Sequence, residues 1–103
     1  MASRADLNDT LEKLLGNENV YYDPPESVNM RYPAIRYTLE NYNVKHANNT
    51  KYTLNPAYQL ILIDRDPDSK YVNDLYTQYL YISLVRKYTA NGLHHWVFRL
   101  YQD

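Results

Sequence analysis

Cysteine is absent from this chain of 103 residues, which excludes disulfide frameworks, thiol nucleophiles and cysteine-rich zinc sites together. Glycine occurs twice, too rarely for a glycine-rich loop that wraps a phosphate, and neither a Walker A motif nor G-x-G-x-x-G is found. Charge of one sign is not in surplus: eleven basic and twelve acidic side chains leave a net −1. Chains that live by attachment to nucleic acid or anionic lipid normally carry a strong basic excess. Long apolar runs are also missing. The longest aliphatic one, Leu60-Ile61-Leu62-Ile63, is far short of a membrane span. Met1-Ala2-Ser3-Arg4-Ala5-Asp6 has no apolar stretch behind its charge and is not read as a signal peptide. The expectation is a soluble, cytoplasmic, single domain over residues 1–103, large enough to bury about two-thirds of its unfolded surface in one modest core.

Tyrosine is what the chain has in excess: thirteen, against one Phe and one Trp. A buried tyrosine hydroxyl needs a hydrogen-bond partner, so a small core holds few of them. The residue is favoured both in half-buried strands and where two proteins meet. Eleven asparagines point to polar turns.

Leu7, Leu11, Leu14 and Leu15 recur at helical spacing, with Ser3 and Asp6 as a loose capping box and Gly16 as the C-terminal cap, which predicts an amphipathic helix over about Arg4 to Leu15. Val20-Tyr21-Tyr22 reads as an edge strand cut off by Asp23-Pro24-Pro25. Alternation of Ile35, Tyr37 and Leu39 after Pro33 predicts a half-buried strand to Glu40. A polar loop around His46 to Thr50 then leads to Tyr52-Thr53-Leu54. Asn55-Pro56 marks a break before Ala57 to Asp64, the most apolar strand and the expected centre of the sheet. Asp66 as cap, Pro67 at the first helical position and Asp68 beside it predict a second helix to about Leu80. Tyr81 to Tyr101 reads as a hairpin turning at Asn91-Gly92, with Trp96, Phe98 and Leu100 on one face. The class is α+β: an antiparallel or mixed sheet of four to five strands, two helices on one face, in the order helix, strands, helix, strands.

Candidate chemistry is sparse. His94 and His95 are adjacent on a strand and point to opposite faces, so they do not share a metal; one is expected against Trp96. Asp64, Asp66 and Asp68 imitate a calcium loop, but Ser69 and Leu75 stand where its glycine and glutamate belong. The serines sit in capping, loop or strand contexts without a G-x-S-x-G elbow. No enzyme, metal or cofactor is expected. Asn8-Asp9-Thr10 and Asn48-Asn49-Thr50 match the glycosylation pattern by chance. Arg31, Arg36, Lys45, His46 and Lys51 with Tyr32, Tyr37, Tyr42 and Tyr52 mix cations with aromatics around the first hairpin. That mixture suits single-stranded nucleic acid or a protein interface, and the near-neutral charge favours the interface.

In order, Val20-Tyr21-Tyr22-Asp23-Pro24-Pro25-Glu26-Ser27, Arg31-Tyr32-Pro33-Ala34-Ile35, His46-Ala47-Asn48-Asn49, Ile63-Asp64-Arg65-Asp66-Pro67-Asp68-Ser69 and Leu93-His94-His95-Trp96-Val97-Phe98 run over nearly the whole chain. Together they resemble the small tail-completion or tail-terminator proteins of tailed phages and prophages. The resemblance implies a virion protein of the neck, assembled in the host cytoplasm. It would form a homo-oligomeric ring, usually a hexamer, on the head-proximal end of the tail tube. Its partners would be the tail tube protein and the head connector or stopper protein, with genomic DNA passing through the lumen and no membrane involved. The family has no catalytic residues to carry over. The loop from Asp23 to Tyr32, with Tyr21, Tyr22, Pro24, Pro25, Arg31 and Tyr32, and the loop bearing Lys45, His46, Asn48, Asn49 and Lys51 are the expected contacts. Another neck component, a stopper or head-completion protein, would share these traits, and a small nucleic-acid-binding module is the reading from a different class.

Overall fold

Three rows of side chains, each running across the middle strands of one sheet, organise the molecule. They are seen in a computed structural model that describes residues 4–25, 28–47 and 50–101, with the side chains of 41–47 and 50–55 outside that description. The elements are α1 (Arg4–Leu15), β1 (Val20–Tyr22), β2 (Ala34–Ala47), β3 (Thr50–Asp64), α2 (Lys70–Gln78), β4 (Ile82–Ala90) and β5 (Leu93–Tyr101). The sheet is mixed, in the order β1-β2-β3-β5-β4, with β1 parallel to β2 and the other pairs antiparallel. The fold is α+β.

Register sets the rows. Ile35, Leu62 and Trp96 face one another across β2, β3 and β5; Tyr37, Leu60 and Phe98 follow, then Leu39, Tyr58 and Leu100. All but Leu39 are buried, and Leu7, Leu11 and Leu15 of α1 with Leu75 of α2 complete the same core. The predicted leucine stripe of α1 therefore packs on the sheet face that holds Trp96, Phe98 and Leu100. Gly16 ends that helix at φ 76°, and its N–H donates to the Glu12 carbonyl at 2.9 Å. A left-handed residue there is what glycine supplies without strain. Ser3 of the expected capping box lies outside the described residues.

Three elements, β2, β3 and α2, differ from the sequence expectation. Tyr52–Leu54 and Ala57–Asp64 are one strand, not two, because Pro56 does not break it. The Tyr101 N–H donates to Tyr81, so odd residues of β5 bond to β4, even ones bond to β3, and the even residues of β3 bond to β5. Pro56 is even and lies one residue beyond Ala57, the last described partner of β5. Its missing N–H removes no described ladder bond. β2 likewise runs on to Ala47, past the expected end at Glu40. From Asn41 to Ala47 and Thr50 to Pro56 the two strands pair only with each other, forming a two-stranded arm. It gives the molecule its extents of 51 × 24 × 23 Å.

The third correction concerns α2, which starts at Lys70 rather than after Asp66. The carboxylates of Asp64 and Asp66 accept the backbone N–H groups of Asp66 and Asp68 at 3.2 and 2.9 Å. These local bonds hold a turn in place of a helical first turn. Ser69 occupies the cap position without a capping bond. The Asn91-Gly92 turn is as expected, both residues at positive φ, 53° and 74°, between paired Ala90 and Leu93.

Truncating Leu60 to Ala in the middle row should cost about 2–5 kcal/mol of unfolding free energy. Leu80→Ser, at a residue 84% exposed, should stay within about 0.5 kcal/mol. Urea denaturation of the two variants beside the wild type measures the contrast.

Candidate assembly interface

The expected contact residues fall into two separate places. Tyr21 and Tyr22 flank Arg36 and Tyr37 at the start of β2, and Arg31 and Tyr32 lead into that same end, Tyr32 beneath the Arg65 guanidinium at 6.0 Å. Pro24 and Pro25 continue from β1. Lys45, His46 and Lys51 stand at the far end of the arm, with side chains outside the description, and Asn48 and Asn49 lie outside the described residues altogether. Ala34 and His46 are twelve positions apart on one strand, so roughly 40 Å separates the two groups. They do not form one surface.

The cation and aromatic mixture is divided in the same way. Tyr37 is a core residue. Its hydroxyl donates to Asn8 Oδ1 at 2.8 Å, its ring meets Tyr22 and Tyr58 at 5.0 and 5.7 Å, and burial raises its pKa. It is not available for stacking on a base. Arg36, next in sequence, points to the opposite face. Tyr22 is covered by the Arg4 guanidinium at 4.3 Å.

Sequence reasoning missed the β4 edge. Along Ile82–Ala90 only the first residue is buried, and Leu80, Tyr81, Leu84 and Val85 form an exposed apolar rim with Tyr76 of α2. Leu80 is 84% and Val85 57% exposed. The register slips between Leu84 and Arg86. This bulge leaves Val85 without a partner on β5 and turns it outward. The Leu84 N–H, directed away from β5, donates to the Tyr76 hydroxyl at 3.1 Å, while the Tyr76 ring packs edge-on against Phe98 at 5.8 Å. Beyond the bulge, the Ala90–Leu93 closure leaves the backbone groups of Lys87 and Thr89 facing outward. The signal in the sequence was Leu80-Tyr81-Ile82-Ser83-Leu84-Val85, an almost unbroken apolar run. Alone, such a run reads as a buried strand, because a strand's place in a sheet is not a local property.

The histidines sit where alternation placed them. His94 lies 3.3 Å from Lys87 Nζ and 3.2 Å from Thr89 Oγ1, 6.1 Å from the Trp96 ring. His95, on the other face, stacks on Tyr88 at 4.5 Å and 10°, with the Arg86 guanidinium 5.3 Å from Tyr88. Among the described residues no cluster of three or more His, Asp or Glu side chains could hold a metal. The face bearing His95 carries no helix. Arg99 crosses it to Glu40, with Nη2 2.7 Å and Nε 2.8 Å from Oε1. A groove of about 510 Å³ between the helices is lined by Thr10, Lys13, Leu14, Asp74, Thr77 and Gln78, where the Thr10 and Thr77 hydroxyls donate to the backbone carbonyls of Asp6 and Asn73 in their own helices. No protein-family model, no curated protein and no solved structure matches this chain.

Burial, and then the charge of Arg36, hold His95 below the ordinary imidazole value of 6.5. The unfolded chain therefore binds more protons than the folded one in the window just below pH 6.5, and stability rises with pH through it. His95→Gln should flatten that rise in a series of urea midpoints from pH 5 to 7. An unchanged slope would assign it to other groups.

Proposed function

We propose that this chain is a structural assembly protein, a ring-forming terminator subunit at the head-proximal end of a phage tail tube. The observation that carries this reading is the free β4 edge with its apolar rim. A nine-residue edge strand that carries exposed Leu84, Val85 and Tyr88 and follows exposed Leu80 and Tyr81 is an aggregation hazard in a chain that acts alone and a ready surface in one that assembles. The resemblance of the ordered motifs supplies the particular assembly, a neck ring that meets the tail tube on one side and the head connector or stopper on the other. The arm offers a second element for reaching a neighbour, and the Asp23 to Tyr32 segment a third. The same features suit a stopper or head-completion ring, whose difference lies in which neighbour it meets.

Purified protein incubated with tail tubes of the same virus should bind at one end of each tube, seen by negative-stain electron microscopy after gold labelling. Leu80→Asp combined with Val85→Asp should abolish end binding with little change in unfolding midpoint, since both positions are exposed. Binding along the tube wall, or none together with salt-dependent retention on single-stranded DNA, would overturn the reading in favour of a nucleic-acid module.

A further inference from the structure

The two edges of the sheet carry opposite charge. Residues 4–23, which build α1 and β1, hold five carboxylates and two cations, net −3. β4, residues 82–90, holds Arg86 and Lys87 and no carboxylate, net +2; Arg99 of the interior strand β5 is already paired with Glu40 of β2. The whole chain is close to neutral, so composition hides this polarity. On the α1–β1 side, Asp9, Glu18 and Asp23 are exposed; on the β4 side, Arg86 and Lys87 are. β1 and β4 are the outermost strands of the sheet.

From this polarity we infer that the β4 edge takes the α1–β1 edge of a second copy of this chain, head to tail. The inference rests on the ring reading for its closure and names the two surfaces that would close it. Isologous alternatives are disfavoured by charge. Pairing β4 antiparallel to itself about its midpoint sets Arg86 directly opposite its own copy, with the two Lys87 positions diagonal to each other, and pairing α1–β1 with itself gathers carboxylates. The heterologous contact does the reverse. It brings the cations to Asp9, Glu12 and Glu18, which with Lys13 line a groove of about 390 Å³ at the C-terminal end of α1, where the helix dipole also favours positive charge.

Backbone geometry is compatible on both sides. The Asn19 carbonyl accepts from Ile35 and the Asp23 N–H donates to Tyr37, so odd residues of this stretch bond to β2 and Tyr22 turns its backbone outward. On β4, Lys87 and Thr89 do the same. The apolar rim then loses its exposure against the neighbour while the charges fix the orientation. Because the two surfaces differ, each copy offers one of each, and repetition gives a closed ring or an open filament, never a closed dimer.

The experiment uses two full-length variants. Arg86→Glu with Lys87→Glu reverses the β4 side; Asp9→Lys with Glu18→Lys reverses the other. Light scattering over a concentration series should show the wild type forming oligomers whose midpoint moves to higher concentration with salt. Each variant alone should need at least roughly tenfold more protein to assemble. Mixed in equal amounts the two should assemble again, because every contact in an alternating ring is then complementary, and this rescue also shows that both variants fold. Three results would overturn the inference. In one, the variant altered at Asp9 and Glu18 assembles normally alone while the β4 variant does not, which is the isologous pattern. In another, both variants assemble as the wild type does; the ring then stands, closed by other surfaces. In the third, the wild type stays monomeric up to roughly millimolar subunit. A second copy is then not the occupant of the edge, and the tube-end assay decides the tail reading separately.

Discussion

Two helices of twelve and nine residues must cover a sheet whose longest strands have fourteen and fifteen. In length that is about 18 and 14 Å of helix against nearly 50 Å of strand. The mismatch governs everything else. The three rows beneath the helices are buried apart from Leu39; the half of the β2–β3 hairpin beyond them becomes an arm, the far face of the sheet carries no helix although Ala34, Ala57, Ile63 and Val97 on it are buried, and the outer strands keep free edges. The core row of Tyr37, Leu60 and Phe98 is the structure's fixed point. The single deep tyrosine in that row is tolerated because Asn8 accepts its hydroxyl proton, with Arg4 beside it.

Short-range signals were legible and long-range ones were not. The leucine spacing of α1, the cap at Gly16, the Asn91-Gly92 turn and the alternation of Trp96, Phe98 and Leu100 are local, and each corresponds to what the backbone does. Asn55-Pro56 misled because a proline's effect depends on whether a neighbouring strand needs its N–H. That in turn depends on where β5 ends, some forty residues later in the chain. Asp66-Pro67-Asp68 misled for the opposite reason. Its parts are good helix-start residues, but the aspartates satisfy the local backbone themselves and delay the helix to Lys70. For the site, the loops chosen for their composition lie at opposite ends of β2. The β4 edge, which composition would have hidden inside the sheet, is exposed. Sheet order decides both, and no window of the sequence contains it.

Tyrosine use follows the same division. Tyr37 is in the core, and Tyr79 packs against it with its hydroxyl buried, its pKa pushed up to about 12 mainly by that burial. Tyr76, Tyr81, Tyr88 and Tyr101 all remain exposed around β4 and its neighbours. An excess that looked like a property of the whole chain is therefore partly a property of one side. Tyrosine suits such a surface, since its ring supplies contact area at low conformational cost and its hydroxyl prevents a dry apolar stripe. Tyr76 does both: its ring rests on Phe98 while its oxygen satisfies the Leu84 N–H.

That last contact bears on how an exposed edge stays selective. A flat, fully unsatisfied strand would pair with any other strand it met. Here the bulge at Val85 breaks the edge into two short stretches, Tyr76 occupies one of its donors, and Arg86 and Lys87 place two like charges in its middle. Each device weakens indiscriminate pairing, and none obstructs a partner that brings carboxylates and matches the break. Selectivity then comes from what the edge rejects as much as from what it binds. The polarity from an acidic α1–β1 side to a basic β4 side applies the same rule to the whole subunit. It penalises the two symmetric contacts, leaves the directional one favoured, and so encodes an assembly rule in a chain whose net charge is close to zero.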